Sequence, residues 1–308
     1  MCEIITLKYK DHEKINLLKE KLKKMNTNPK LKIIEITIPN EKKINIIQDG
    51  YLLAGTKQRV ANLFIKEILK KDSSIKHLLY AGVYNGFGAI ASSYGAKKNN
   101  LDCTVFLSKK SEDQKLDDIL KSRQIITLQA LDTNIYLCPT FKEARSLEYD
   151  FGIVNKNEKV WVTKEDYYIV PMGMNDDDKI MINIMSKQMK KASKNTILEK
   201  ALKPRIWVVS GSGGIAMSIN KAFPHAEIFI LLTGGFKYKK KVSDYFKNNN
   251  NVKILKNEKI LNNKKLLNNR KNYYNSVEEY DDLLWPYIKK YGQNDDFIWN
   301  VSSDNFIF

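Results

Sequence analysis

Apolar residues recur at helical spacing over 11–25, where Ile15, Leu17, Leu18, Leu22 and Met25 line one side of a charged segment and predict an amphipathic helix. Short β-branched runs at 32–38 and 44–47 predict strands. Pro39 ends the first, and the turn pair Asp49-Gly50 follows the second. A helix is predicted over 58–70. The pattern then alternates: strand 78–81, a Gly-punctuated turn, a small-residue helix at 87–98, strand 103–107, helix 112–122, strand 124–128 and helix 140–149. Residues 169–171 predict a short strand and 177–194 a long helix. Asp176, Asp177 and Asp178 stand at the start of that helix, where carboxylates suit the positive end of the dipole. Strands at 205–209, 227–232, 252–255 and 297–301 and helices at 214–222 and 276–291 complete the reading. The Asn- and Lys-rich stretch 246–275 reads as a mobile surface segment. Strands alternating with helices at this spacing predict an α/β protein of parallel sheets in right-handed βαβ units.

A chain of 308 residues leaves room for two domains. No apolar run reaches the roughly 18 residues needed to cross a bilayer, and the lysine-rich N-terminus carries no secretory pattern, so no membrane association is expected. Cys2, Cys103 and Cys138 are widely spaced and contain no CxxC, which argues against a disulfide framework and structural zinc. His12, His77 and His225 share no metal-like spacing, so no metal site is expected. A reducing, cytoplasmic setting fits this usage.

The formal charge of +17 invites a nucleic-acid reading. Only Arg59, Arg123, Arg145, Arg205 and Arg270 supply the bidentate fork that phosphate and base readers favour, while Lys runs such as Lys239-Lys240-Lys241 read as solvated faces. Nucleic acid is therefore kept only as a secondary partner.

Four segments carry chemistry. Ser210-Gly211-Ser212-Gly213-Gly214 lies between an apolar strand and a helix, where a Gly-rich turn presents backbone N–H groups to an anion. It lacks the Lys-Ser/Thr of a Walker loop and the complete spacing of a dinucleotide fingerprint. In the segment from Asp49 to Arg59, Lys57 follows a Gly-Thr turn at a helix start, where its cation opposes the dipole and a neutral, nucleophilic amine is favoured. Tyr84-Asn85-Gly86 joins a strand to a small-residue helix, so Asn85 is placed to hydrogen-bond a bound ring. Tyr168-Ile169-Val170-Pro171-Met172-Gly173-Met174-Asn175 is a strand ending in a Gly turn.

The order of these four segments resembles the fold-type II pyridoxal-phosphate enzymes, the tryptophan synthase beta-like group. Within them the likeness is greatest to the 1-aminocyclopropane-1-carboxylate deaminase and D-cysteine desulfhydrase group, over about residues 34 to 235. The resemblance implies pyridoxal 5'-phosphate as cofactor, bound to Lys57 as a Schiff base, with the pKa of that amine depressed by burial and by the helix N-terminus. It implies Asn85 at the ring's 3-oxygen, and Gly211, Ser212, Gly213 and Gly214 at the phosphate. Ser302 or Ser303 would face the ring nitrogen and favour elimination or replacement over transamination. Tyr273 or Tyr274 would approach the substrate as a catalytic group, and Tyr84, Gly86 and Gly173 would contact it. The implied activity is a lyase or deaminase acting on a small amino acid, in a homodimer. The implied layout is a large cofactor-binding domain from 1–59 plus 171–308 and a small α/β domain from 60–170. Where the family usually reads Ser-Asn-His or Ser-Asn-Gln, this chain has Tyr84-Asn85-Gly86, so a Tyr replaces the Ser that helps hold the substrate carboxylate. Two alternatives follow from that departure and from the charge. One is a catalytically altered binding protein. The other is a pyridoxal-phosphate enzyme acting on an amino-acid adduct of a nucleic acid base.

Overall fold

Apolar runs of β-branched residues become buried parallel strands in this chain, and amphipathic segments become the helices that cover them. The computed structural model describes residues 5–6, 12–38, 41–109, 114–155, 162–163, 166–174, 179–255 and 281–303. In chain order the elements begin with β1 (Ile5–Thr6), α1 (His12–Lys24), β2 (Ile33–Ile38), β3 (Lys42–Ile47), α2 (Gln58–Lys71), β4 (His77–Val83), α3 (Phe87–Lys98) and β5 (Asp102–Ser108). They continue with α4 (Leu116–Leu120), α5 (Arg123–Ala130), β6 (Asn134–Cys138), α6 (Phe141–Gly152), β7 (Ile153–Asn155), β8 (Val162–Thr163), β9 (Tyr167–Ile169), α7 (Ile180–Ala192) and α8 (Ile197–Lys200). The last are β10 (Arg205–Ser210), α9 (Gly214–Ala222), β11 (Glu227–Leu232), α10 (Phe236–Phe246), β12 (Val252–Leu255), α11 (Trp285–Tyr291) and β13 (Asp296–Trp299). Among the described residues no helix is long and apolar enough to cross a membrane.

The chain divides into two compact units. One contains residues 1–27 and 60–180, the other 28–59 and 181–307. The grouping of the N-terminal 27 residues with 60–180 is not anticipated by the sequence reading. In the first unit a sheet of order β1-β6-β5-β4-β9 is parallel except for β1, whose antiparallel pairing with β6 closes one edge. β7 and β8 form a separate antiparallel pair. In the second unit the order is β12-β11-β10-β13-β3-β2, parallel except for β2. Its core sets Ile44, Ile46, Trp207, Val209, Leu231 and Ile298 against Leu284, Trp285 and Ile288, with Trp207 stacked on Phe229 at 4.1 Å.

Two expectations are corrected. Residues 124–128 are not a strand: they lie in α5, because Ser122 accepts a hydrogen bond from the Ile125 N–H (3.4 Å) and caps the helix against the β-leaning Ile-Ile-Thr run. The strand in this region is β6, Asn134–Cys138, with Ile135, Leu137 and Cys138 buried. The Lys239-Lys240-Lys241 run belongs to a helix, α10, not expected from the sequence. The predicted helix at 276–291 is, over its described part, a 3-10 turn at Asp281–Leu284 followed by α11. The remainder of the 246–275 stretch beyond 255 lies outside the described residues.

The α6 face of the first sheet packs Leu79, Ala81, Phe106, Cys138 and Ala144 together, and it buries Glu148 completely. Burial pushes the Glu148 carboxyl up to about 7, against the opposing pull of Arg145 and of the Ala81 backbone N–H. A carboxyl with a raised folded-state pKa stabilises fully below its unfolded value of 4.5, and that contribution is lost as pH rises through 7. Comparing the denaturant midpoint of Glu148→Gln with that of the natural chain across this window should therefore show a shallower pH decline in the variant. Parallel declines would refute the assignment.

Candidate active site

In the second unit three neighbouring parallel strands, β10, β13 and β3, end at the same carboxyl edge, the place where open α/β sheets bind ligands. Adjacent strands are about 4.8 Å apart, so these three ends lie within about 10 Å. From β10 emerges the turn Gly211-Ser212-Gly213, from β13 the segment Asn300-Val301-Ser302-Ser303, and from β3 the segment that leads to Lys57. The fold thus brings Lys57, Gly211, Ser212, Gly213, Gly214, Ser302 and Ser303 to one edge of one sheet.

The path from β3 to Lys57 is held by buried polar contacts. Asp49 forms a bidentate pair with Arg59, whose Nε donates to Oδ2 at 2.8 Å and whose Nη2 donates to Oδ1 at 2.5 Å, both side chains being buried. The second terminal nitrogen, Nη1, donates to Asn28 Oδ1 and the Pro29 carbonyl. Gln58 Oε1 accepts from the Leu53 N–H. Gly50 meets the β13 segment so closely that a Cβ there would lie 2.0 Å from Asn300 Oδ1 and 2.7 Å from the Ser302 carbonyl carbon. The 3-10 turn Gly55–Lys57 then runs directly into α2, with Gly55 at φ +55°.

Lys57 itself is half-buried, and its amine has no acidic or hydrogen-bonding partner among the described residues. Burial lowers its pKa from 10.5 to about 8. Of the two causes expected from the sequence, burial and the helix N-terminus, burial is the one the structure shows. An amine of this kind is still mostly protonated near physiological pH but has a far larger neutral fraction than an ordinary lysine, which makes it competent as a nucleophile or a general base.

The turn after β10 is a cradle that only glycine can form. Gly213 has φ +91°, and a Cβ on it would sit 2.3 Å from Val242 Cγ2 of α10. It caps α9, so the turn meets the positive end of that helix. Gly213→Ala should lower stability by about 1–3 kcal/mol from the left-handed backbone alone. It should also weaken anion binding; urea denaturation and phosphate titration check both, and an unchanged midpoint would contradict this geometry. Gly234, in the next βα turn, is not among the residues expected from the sequence; a Cβ there would lie 2.1 Å from the Gly211 carbonyl oxygen. The pair Gly234-Gly235 after an apolar strand was the available signal.

In the first unit the neighbouring parallel strands β4 and β9 also end at one edge. β4 leads into Tyr84-Asn85-Gly86 and α3, and β9 leads into the turn Met172–Met174, where Gly173 has φ +69°. Tyr84 Oη accepts from Gln114 Nε2, and the Asn85 carbonyl accepts from Gln124 Nε2 at 3.4 Å. The Tyr80 hydroxyl underlies the start of α3 so closely that a Cβ on Gly88 would approach it to 2.0 Å. Tyr273, Tyr274 and Asn175 lie outside the described residues.

No protein-family model matches the chain, and no curated protein matches it in sequence. Solved structures do. A homologue of ACC deaminase superposes with a TM-score of 0.59 at 16% identity, over 95% of each chain. A hydrogen sulfide-producing enzyme from Fusobacterium nucleatum gives 0.58 at 14% identity, over 96% of this chain and 98% of that one. A pyridoxal 5'-phosphate-dependent aspartate racemase gives 0.57 at 11% identity, over 96% and 95%. At these identities the likeness is one of fold: parallel sheets flanked by helices in the fold-type II pyridoxal-phosphate enzyme architecture expected from the sequence.

Proposed function

We propose that this chain, which has the architecture of the fold-type II enzymes, is a pyridoxal-phosphate-dependent lyase or deaminase acting on a small amino acid. The observation that carries the reading is Lys57: a desolvated amine without a partner among the described residues, on the same sheet edge as a glycine cradle. A phosphate-bearing aldehyde would fit both features, Lys57 holding its carbonyl end and the glycine cradle its phosphate. Bound there, pyridoxal phosphate supplies an electron sink for a carbanion at the substrate's Cα.

The chain's own residues do the rest. Gly211, Ser212, Gly213 and Gly214 hold the phosphate through backbone N–H groups at the α9 terminus. Lys57 would hold the aldehyde, and its amine would take or return a proton at the substrate carbon. Its pKa of about 8 keeps that exchange accessible near neutrality. Ser302 or Ser303 is assigned to the ring nitrogen and Asn85 to the ring's 3-oxygen. Tyr84, Gly86 and Gly173 are assigned to the substrate, and Tyr273 or Tyr274 to catalysis. A homodimer in the cytoplasm completes the reading.

The test is spectroscopic. Purified protein incubated with pyridoxal phosphate should acquire a visible band, lose it on borohydride reduction, and then carry the added mass on the peptide containing Lys57. A colourless protein with unmodified Lys57 overturns the proposal. A band that no amino acid shifts would instead favour a catalytically altered binding protein. A shift given only by a base-linked amino acid would favour the nucleic-acid adduct.

A further inference from the structure

We propose that Asp281 is a positioning residue: its carboxyl fixes the backbone at Val301 and Ser302, and that backbone fixes the turn that presents Lys57. The inference rests on Lys57 being the reactive amine. Asp281 is fully buried, and its Oδ2 accepts both the Val301 N–H and the Ser302 N–H at 3.0 Å each. The Ser302 side chain also hydrogen-bonds to it. These two amides lie beyond the end of β13, where the sheet no longer supplies acceptors; the last bond to β3 is from the Asn300 N–H to the Ile47 carbonyl at 3.1 Å. The Val301 carbonyl in turn accepts the N–H of Thr56, the residue before Lys57, at 3.1 Å. Trp299 Nε1 reinforces the same link, donating to Thr56 Oγ1 and Asp49 Oδ2 at 3.2 Å each.

A continuous run of hydrogen bonds therefore leads from Asp281 through Val301 to the backbone beside Lys57, and a branch of it holds Ser302, a candidate partner of the ring nitrogen. Buried amide donors require acceptors. Removal of the Asp281 carboxyl leaves two without one, so the segment must shift to find water or new partners. The Thr56 N–H, bound to that segment, follows. Burial and the neighbouring Asp282 push the Asp281 carboxyl well above the ordinary carboxylate range, so a neutral amide is a close stand-in for it.

The experiment uses the full chain, treated with hydroxylamine to remove any aldehyde on Lys57, and measures acetylation of Lys57 against pH by mass spectrometry. The natural chain should show a midpoint near pH 8. Asp281→Ala should move it upward by more than one pH unit toward 10.5 as the amine gains water, while Asp281→Asn should leave it in place. A folded Asp281→Ala protein with an unmoved midpoint, even at a lower melting temperature, overturns the proposal. Should that variant not fold, Asp281→Ser replaces it, because its hydroxyl is too short to serve both amides, and the same upward shift is expected. Pyridoxal phosphate and borohydride, applied separately to the natural chain, judge the functional reading: absence of a Lys57 adduct refutes that reading, and the acetylation comparison still decides the role of Asp281.

Discussion

Lys57→Ala should abolish covalent attachment of pyridoxal phosphate and reduce turnover of any accepted amino acid by at least about 100- to 10,000-fold, the range lost with a positioned acid–base group. The same position yields a second expectation of opposite sign. A desolvated ammonium without a counter-charge works against folding, so Lys57→Met should raise the melting temperature at neutral pH while destroying function, as site residues often do. The pH dependence fixes the sign. Lys57 titrates at about 8 in the folded chain and at 10.5 when unfolded. Its burden is complete below pH 8, diminishes between 8 and 10.5 and vanishes above, because only in that window does the unfolded state bind more protons. Calorimetry of both proteins at pH 7 and at pH 10 measures this. A methionine variant less stable than the natural chain at pH 7 would contradict the description of the amine as desolvated and without a partner among the described residues.

Arg59→Ala should be the most destabilising single change near the site, by about 3–5 kcal/mol, since it strands the Asp49 carboxylate in the interior. That is a large part of the roughly 5–15 kcal/mol by which domains are stable. Both groups are nearly inaccessible, at 3% and 2% exposure, and the fork of Arg59 also anchors Asn28 and Pro29. Asp49→Asn combined with Arg59→Met removes both charges together and should recover much of the loss, giving a strongly non-additive double-mutant cycle. Urea denaturation reads the result; an Arg59→Ala effect below about 1 kcal/mol would mean that the pair behaves as a surface contact.

Local chemistry was legible where one segment carries its own instructions. The turn from Ser210 to Gly214 declares itself because an apolar strand, closely spaced glycines and a helix follow in sequence, and Gly213 does adopt the left-handed conformation that demands glycine. Lys57 stands out by its place after a Gly-Thr turn, and of the two causes expected to depress its amine, burial and the helix N-terminus, burial is the one the structure shows. The misreading at 124–128 shows the limit of propensity: a β-branched run is read as a strand until a serine cap and a buried helical face outweigh it.

By itself the sequence determined the α/β class, most element positions and the two segments on which the proposed chemistry rests, because short-range periodicity and turn stereochemistry are properties of neighbouring residues. Only the tertiary structure decided that strands from the beginning, the later part and the end of the chain lie side by side as β3, β10 and β13. It alone set Asp281 beneath the amides of Val301 and Ser302 and left the Lys57 amine desolvated. Strand order, the pairing of buried charges and the loss of water around one amine depend on contacts between residues far apart in the chain. Such contacts form only when burial of the whole apolar surface repays the entropy of bringing those residues together.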